Sequence, residues 1–104
     1  MIFKQAIQGH IQQATLRHQI ALDLELGQKK KKFTAELRRR TATEVLLQIV
    51  PGTEVLEFFH LRCDAYDYWP STKYYRNLKT GEVRILNIQD LAIKMLSEQG
   101  YEIN

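Results

Sequence analysis

Two stretches of this chain carry side chains whose types and spacing could do chemistry. In the first, Lys29, Lys30, Lys31, Lys32, Arg38, Arg39 and Arg40 are opposed only by Glu36. Cations packed this densely repel one another unless an anion comes near, and such a run is the usual source of affinity for nucleic-acid phosphates. A solvated run that binds nothing has the same composition. In the second, Tyr66-Asp67-Tyr68-Trp69-Pro70-Ser71-Thr72-Lys73-Tyr74-Tyr75-Arg76-Asn77, five aromatic rings are interleaved with Lys73, Arg76 and Asn77. Flat rings stack on unpaired bases while neighbouring cations hold the backbone. Alternation along a strand puts Lys73, Tyr75 and Asn77 on one face and Tyr74 and Arg76 on the other, so some of these rings pack a core instead. The sequence therefore offers Lys29 to Lys32, Arg38 to Arg40, Trp69, Lys73, Tyr75 and Arg76 as nucleic-acid-binding residues.

A third set, His60, Arg62, Asp64 and Asp67 with Glu57 nearby, has the residue types of an acid-base pair for phosphodiester cleavage. It lacks the context that such chemistry carries: there is no nucleophile elbow, no phosphate-binding glycine loop and no metal motif of recognisable spacing. His10 and His18 are too far from His60 in sequence to suggest a metal site with it, and fit a helix flank. Cys63 is the single cysteine, which permits no intramolecular disulfide, agrees with a reducing compartment and reads as a small buried hydrophobe. No cofactor is expected.

Composition sets the frame for these groups. A chain of 104 residues, 44% hydrophobic and 26% charged, is long enough for one core and is expected to be one domain over residues 1 to 104. No apolar run approaches the roughly 18 residues of a spanning helix, and the Gln-rich start has no signal-peptide core; a cytoplasmic protein is expected. The net charge of +3 is unevenly spread, with nine cations and four acids up to residue 52 and six cations and eight acids after it.

The elements that must position these residues follow from periodicity. Phe3, Ile7, Ile11 and Ala14 recur at helical spacing, which predicts an amphipathic helix from Ile2 to about Ile20 and a possible self-association face. Leu22, Leu24, Leu26 and then Phe33, Ala35, Leu37 alternate with polar residues, which predicts a β-hairpin with the four lysines at its tip; one long helix to about Arg40 competes. From Thr41 to Val50 two readings compete: Thr43 could cap a short helix, while Val45, Leu47 and Ile49 alternate as in a strand; the β-branched residues and the Pro51-Gly52 turn favour the strand, and Val55 to Arg62 reads as the next strand of a hairpin. A third strand carries Tyr66 to Arg76, kinked or at an edge because Pro70 cannot donate to a ladder. After the turn at Lys79 to Glu82 comes a short strand, Val83 to Leu86. A C-terminal helix is capped by Asn87, has Asp90 at N3 and Leu86 placed to staple onto Leu91, and ends at Gly100. Its face of Ile88, Leu91, Ala92, Met95 and Leu96 suits packing on a sheet.

The expected class is α+β: an N-terminal helix, an antiparallel meander of three to five strands, and a C-terminal helix packed on the sheet. That order is similar to the order of double-stranded-RNA-binding domains, whose last helix opens with basic residues where this one opens with Asn87 and Asp90. The expected function is a non-enzymatic accessory or regulatory protein that binds nucleic acid, RNA or DNA, with weak sequence preference. An interaction module docking on an acidic protein surface, or on a nucleic-acid-binding partner, is the alternative, and a small nuclease ranks behind both.

Overall fold

The computed structural model describes residues 1–26, 30–57 and 60–104, with the backbone alone for 30–32. The chain opens with two helices, α1 (Lys4–Leu26) and α2 (Lys30–Ile49). Five strands follow, β1 (Thr53–Glu57), β2 (His60–Cys63), β3 (Tyr66–Trp69), β4 (Tyr74–Asn77) and β5 (Val83–Ile85), and α3 (Ile88–Glu98) closes the fold. The strands form one antiparallel meander in the order β1-β2-β3-β4-β5, so each pairs with its neighbour in sequence. The α+β class, the antiparallel sheet and the C-terminal helix on the sheet are as the sequence led one to expect.

The expected hairpin over residues 22–37 is instead helix on both sides of residues 27–29. The reason lies in two interleaved stripes. Leu22 continues the inward series Ile7, Ile11, Ala14, His18 at helical spacing and is fully buried, whereas Leu24 is 84% exposed and belongs with Leu16 and Ile20 on the opposite side. The apparent period of two is the overlap of these stripes. The same happens in α2, where Ala42, Val45, Leu46 and Val50 are buried and Leu47 is exposed; the helical spacing wins over the alternation that predicts a strand over 41–50. Pro51 and Gly52, with Gly52 at φ 82°, then link helix to strand rather than strand to strand.

Residues Val55 to Arg62 supply two paired strands, β1 and β2, not one. The segment Tyr66 to Arg76 is likewise a hairpin: β3 and β4 pair from Tyr66↔Asn77 to Trp69↔Tyr74, and Pro70 occupies the turn, where its missing N–H costs nothing. At the last helix the sequence reading holds closely. The Asn87 side chain accepts from the Asp90 N–H at 2.8 Å, and Gly100 at φ 94° follows the helix end.

The helices lie on one face of the sheet. Leu61, Cys63, Tyr66, Tyr68 and Tyr75 point from it into a core shared with Ile7, Ala42, Leu46, Val50 and the α3 residues Leu91, Ala92, Met95 and Leu96. The Tyr68 hydroxyl donates to Leu86 O at 3.0 Å and Tyr66 donates to Glu98 Oε1 at 2.8 Å, so both rings bury their faces while keeping a partner for the polar end. Burial pushes both phenols up in pKa, and for Tyr66 the Glu98 carboxylate adds to it. Cys63 is fully buried; burial raises its thiol pKa, and Thr53 Oγ1 lies 3.6 Å from the sulfur. No helix among the described residues is long and apolar enough to cross a membrane.

Candidate nucleic-acid interface

Among the described residues no helix lies on the other face of the sheet, and the strand register assigns that face's residues in two rows. One row runs Glu54, Arg62, Asp67, Arg76, Val83; the next brings Trp69, Tyr74 and Ile85 side by side. Residues paired across an antiparallel ladder share a face, so the alternation that buries Tyr68 and Tyr75 turns Trp69 and Tyr74 outward. Tyr74 is 43% exposed and Ile85 59%. The His60 ring extends the second row, stacked on Trp69 with centroids 4.6 Å apart and planes 13° from parallel. The Arg76 guanidinium carbon lies 6.0 Å from the Trp69 ring centroid, at the outer limit of a cation-π contact.

Asp67 anchors the charged row. Arg62 donates to it twice, Nε to Oδ1 at 2.8 Å and Nη2 to Oδ2 at 3.3 Å. His60 Nε2 is 3.2 Å from Oδ2, within reach of an ion pair when the ring is protonated but not aligned as a hydrogen bond. Asp67 is 5% exposed. Burial alone would raise its pKa; the Arg62 hydrogen bonds and the nearby His60 and Arg62 charges outweigh that and hold it below the usual aspartate value. A carboxylate so stabilised is a poor proton acceptor at neutral pH. Of the residues with acid-base potential, His60, Arg62 and Asp67 thus meet as a structural ion-pair cluster, with Glu57 3.6 Å from His60 Nδ1. Asp64 sits apart in the β2–β3 turn at φ 55°. Among the described residues no three His, Cys, Asp or Glu side chains group as metal ligands.

The basic segment divides into parts with different surroundings. Lys29 lies outside the described residues, and Lys30, Lys31 and Lys32 begin α2, described as backbone only. Arg39 pairs with Glu36, and Arg40 with both Glu36 at 3.5 Å and Glu25 on α1 at 2.7 Å. These two arginines therefore tie α2 to itself and to α1. Arg38 is different. It is exposed, makes no ion pair among the described residues, and donates from Nη1 to Ser71 O at 3.0 Å, which brings it to the β3–β4 turn between Trp69 and Tyr74. Lys73, in that turn at φ 64°, likewise has no acidic partner among the described residues.

Of the residues the sequence singles out, the fold gathers Trp69, Arg76, Lys73 and Arg38 around one hairpin end and leaves Arg39 and Arg40 in intramolecular pairs. Tyr75, 4% exposed, packs in the core, where its ring cannot stack on a base. Tyr74 takes that outward position instead, as the alternation of Tyr74 and Arg76 against Tyr75 implies. His60 enters as the support of Trp69, a neighbour that only the register reveals.

Compared with known proteins, the chain matches no family model, no curated protein and no solved structure.

Proposed function

We propose that this protein binds single-stranded nucleic acid on the uncovered face of its sheet. The observation that carries the reading is the outward row Trp69–Tyr74, set beside Arg76 and backed by the stacked His60 ring. Exposed aromatic faces next to guanidinium groups stack bases of any identity and hold the phosphates between them, which gives salt-dependent binding with little sequence preference. A five-stranded surface with no element entering a major groove suits a strand rather than a duplex. Arg38 and Lys73 extend the positive potential around the hairpin end, and Lys29 to Lys32 add to the long-range attraction for a polyanion.

Trp69 is the only tryptophan, so its fluorescence reports on this face alone. Titration with oligo(U) and oligo(dT) should quench it saturably, with an affinity that falls steeply as salt rises. Binding to these probes that leaves Trp69 emission unchanged, or the absence of binding at low salt, rejects the assignment.

A second reading, self-association, has its own observation. Leu16, Ile20 and Leu24 form an exposed stripe on α1, with Gly9 and Gln13 continuing the same side. Because that side is largely uncharged, a second copy can meet it without like-charge repulsion. Light scattering of the protein and of Ile20→Glu separates the cases: a monomer in both removes this reading.

A further inference from the structure

A cavity of about 220 Å³ lies between the helices and the β3–β4 turn. It is larger than the roughly 150 Å³ that holds a benzene ring and smaller than the pockets of about 300 Å³ and above that take drug-sized ligands. Its walls are mainly apolar, from Ile11, Leu37, Ala42, Pro70 and Ile88. Thr15, Thr41, Tyr68 and Asn87 add polar groups, and its charged groups are of one sign. Arg38 and Lys73 line it without acidic partners among the described residues, and the first turn of α3 opens on it at Asn87 and Ile88. Asp90, the acid of that turn, does not line it. The Asn87 side chain satisfies the Asp90 N–H, whereas the Ile88 and Gln89 N–H groups, by their place in the helix, have no acceptor within it. Exposed N–H groups at a helix N-terminus favour an anion.

Thr41 supplies the independent observation. It lines the same cavity at 5% exposure, and its hydroxyl has no hydrogen-bond partner among the described residues. A threonine within a helix commonly donates to the carbonyl four residues back, as Thr15 does across the cavity to Ile11 O at 2.7 Å. Thr41 does not, although it is the more buried of the two. Buried hydroxyls left open in this way mark a site for a ligand or an ordered solvent group.

The surrounding geometry is fixed in advance. Leu86, just before the α3 cap, accepts the Tyr68 hydroxyl on its carbonyl and donates its N–H to Lys73 O at 2.9 Å. Both backbone groups of Leu86 are thereby bound to the β3–β4 hairpin, which holds the α3 N-terminus over the turn. Lys73 itself sits in the left-handed region at φ 64°, where glycine or asparagine costs less. The chain places a cation at a position that backbone geometry alone would not select.

We infer that this cavity binds a compact organic anion: a carboxylate or phosphate head held by Arg38, Lys73, the Thr41 hydroxyl and the first turn of α3, with a small apolar body against Ile11, Leu37 and Ile88. The site lies on the helix side of the β3–β4 hairpin, shares only Arg38 and Lys73 with the positive rim of the Trp69–Tyr74 face, and stands whether or not that face binds a strand.

Benzoate and phenyl phosphate serve as probes, followed by amide shifts in two-dimensional NMR of the intact chain. Saturable shifts centred on Thr41, Lys73, Ile88 and Gln89 are expected with at least one of them. Thr41→Val keeps shape and fold while removing the hydroxyl, and should weaken that binding about tenfold, the loss expected for a hydrogen bond to a charged group. Thr41→Ser restores the donor and should recover most of it. Both variants should bind oligo(U) as the parent does, so the cavity is tested apart from the sheet face. Neither probe shifting these amides at millimolar concentration overturns the inference, as does Thr41→Val binding as tightly as the parent.

Discussion

The two faces of the sheet use the same residue types for opposite ends. On the helix side, Tyr66, Tyr68 and Tyr75 are buried, and the two whose hydroxyls have partners reach them at α3 or beside its start. On the open side, one residue away in each strand, Tyr74 presents ring surface to solvent, Trp69 is half-buried with His60 stacked on it, and Arg76 stands beside them. An aromatic count therefore says little about function in this chain. What separates a core ring from a candidate binding ring is parity along the strand and whether a helix covers that side.

The comparison breaks first at the core. Tyr68→Ala should cost about 3–5 kcal/mol of stability through lost packing and the orphaned Leu86 carbonyl, whereas Tyr74→Ala should stay within about 0.5–1 kcal/mol. Chemical denaturation of both variants measures this, and equal losses would mean that the open face is covered in solution.

The Asp67 cluster comes next, since it stiffens the open face from beneath. Asp67→Asn should cost about 2 kcal/mol, the scale of a charged hydrogen bond. Because the folded pKa of Asp67 lies below its ordinary value of 3.8, its contribution is complete above the unfolded pKa of about 3.9 and is lost as pH falls through the folded value. The parent should therefore lose stability below about pH 4 more steeply than the Asn variant. Parallel acid limbs for the two proteins would show that the Arg62 pairing adds nothing net.

For binding, Trp69→Ala should weaken oligo(U) affinity by about 1–3 kcal/mol, the range for one stacked base. A duplex probe of equal length and charge should respond less, and an equal response would argue for backbone contacts alone. The smallest effect belongs to Arg76→Gln, which should lower the slope of log affinity against log salt by about 0.7, one phosphate contact on a single strand. An unchanged slope places the strand elsewhere on the sheet.

How much of this was legible in the sequence depended on whether a local signal had a competitor. The α3 helix was readable because Asn87, Asp90, the Leu91–Leu96 face and Gly100 agree with one another. The helix expected from Ile2 to about Ile20 is α1, but its continuation to Leu26 and α2 were not readable, because Leu22 and Leu24 serve different sides of one helix and their interleaving imitates a strand. At the candidate interface, Trp69 and Arg76 were visible as residue types. The exchange of Tyr75 for Tyr74 needed to know which side the helices cover, and that is decided by tertiary packing. The pairing of Arg39 and Arg40 with Glu36 and Glu25 was hidden for the same reason, since Glu25 approaches Arg40 only once the two helices lie side by side.

The bridge between Ile2 and Ile103 bears on the order in which the fold forms. Within the sheet and the first helix pair the connections are short, since every strand pairs with the one before or after it and α1 lies against α2, whereas α1 also packs on α3. The segment at Ile2 likewise joins the far end of the sequence, through Ile2 N–H to Glu102 O at 2.8 Å and Asn104 N–H to Ile2 O at 2.7 Å. Closing a loop of nearly the whole chain repays its entropy only after the intervening elements have condensed. The bridge and the α1–α3 packing are thus expected to form late in folding, where a contact scarcely changes how fast the chain collapses and mainly sets how slowly it opens.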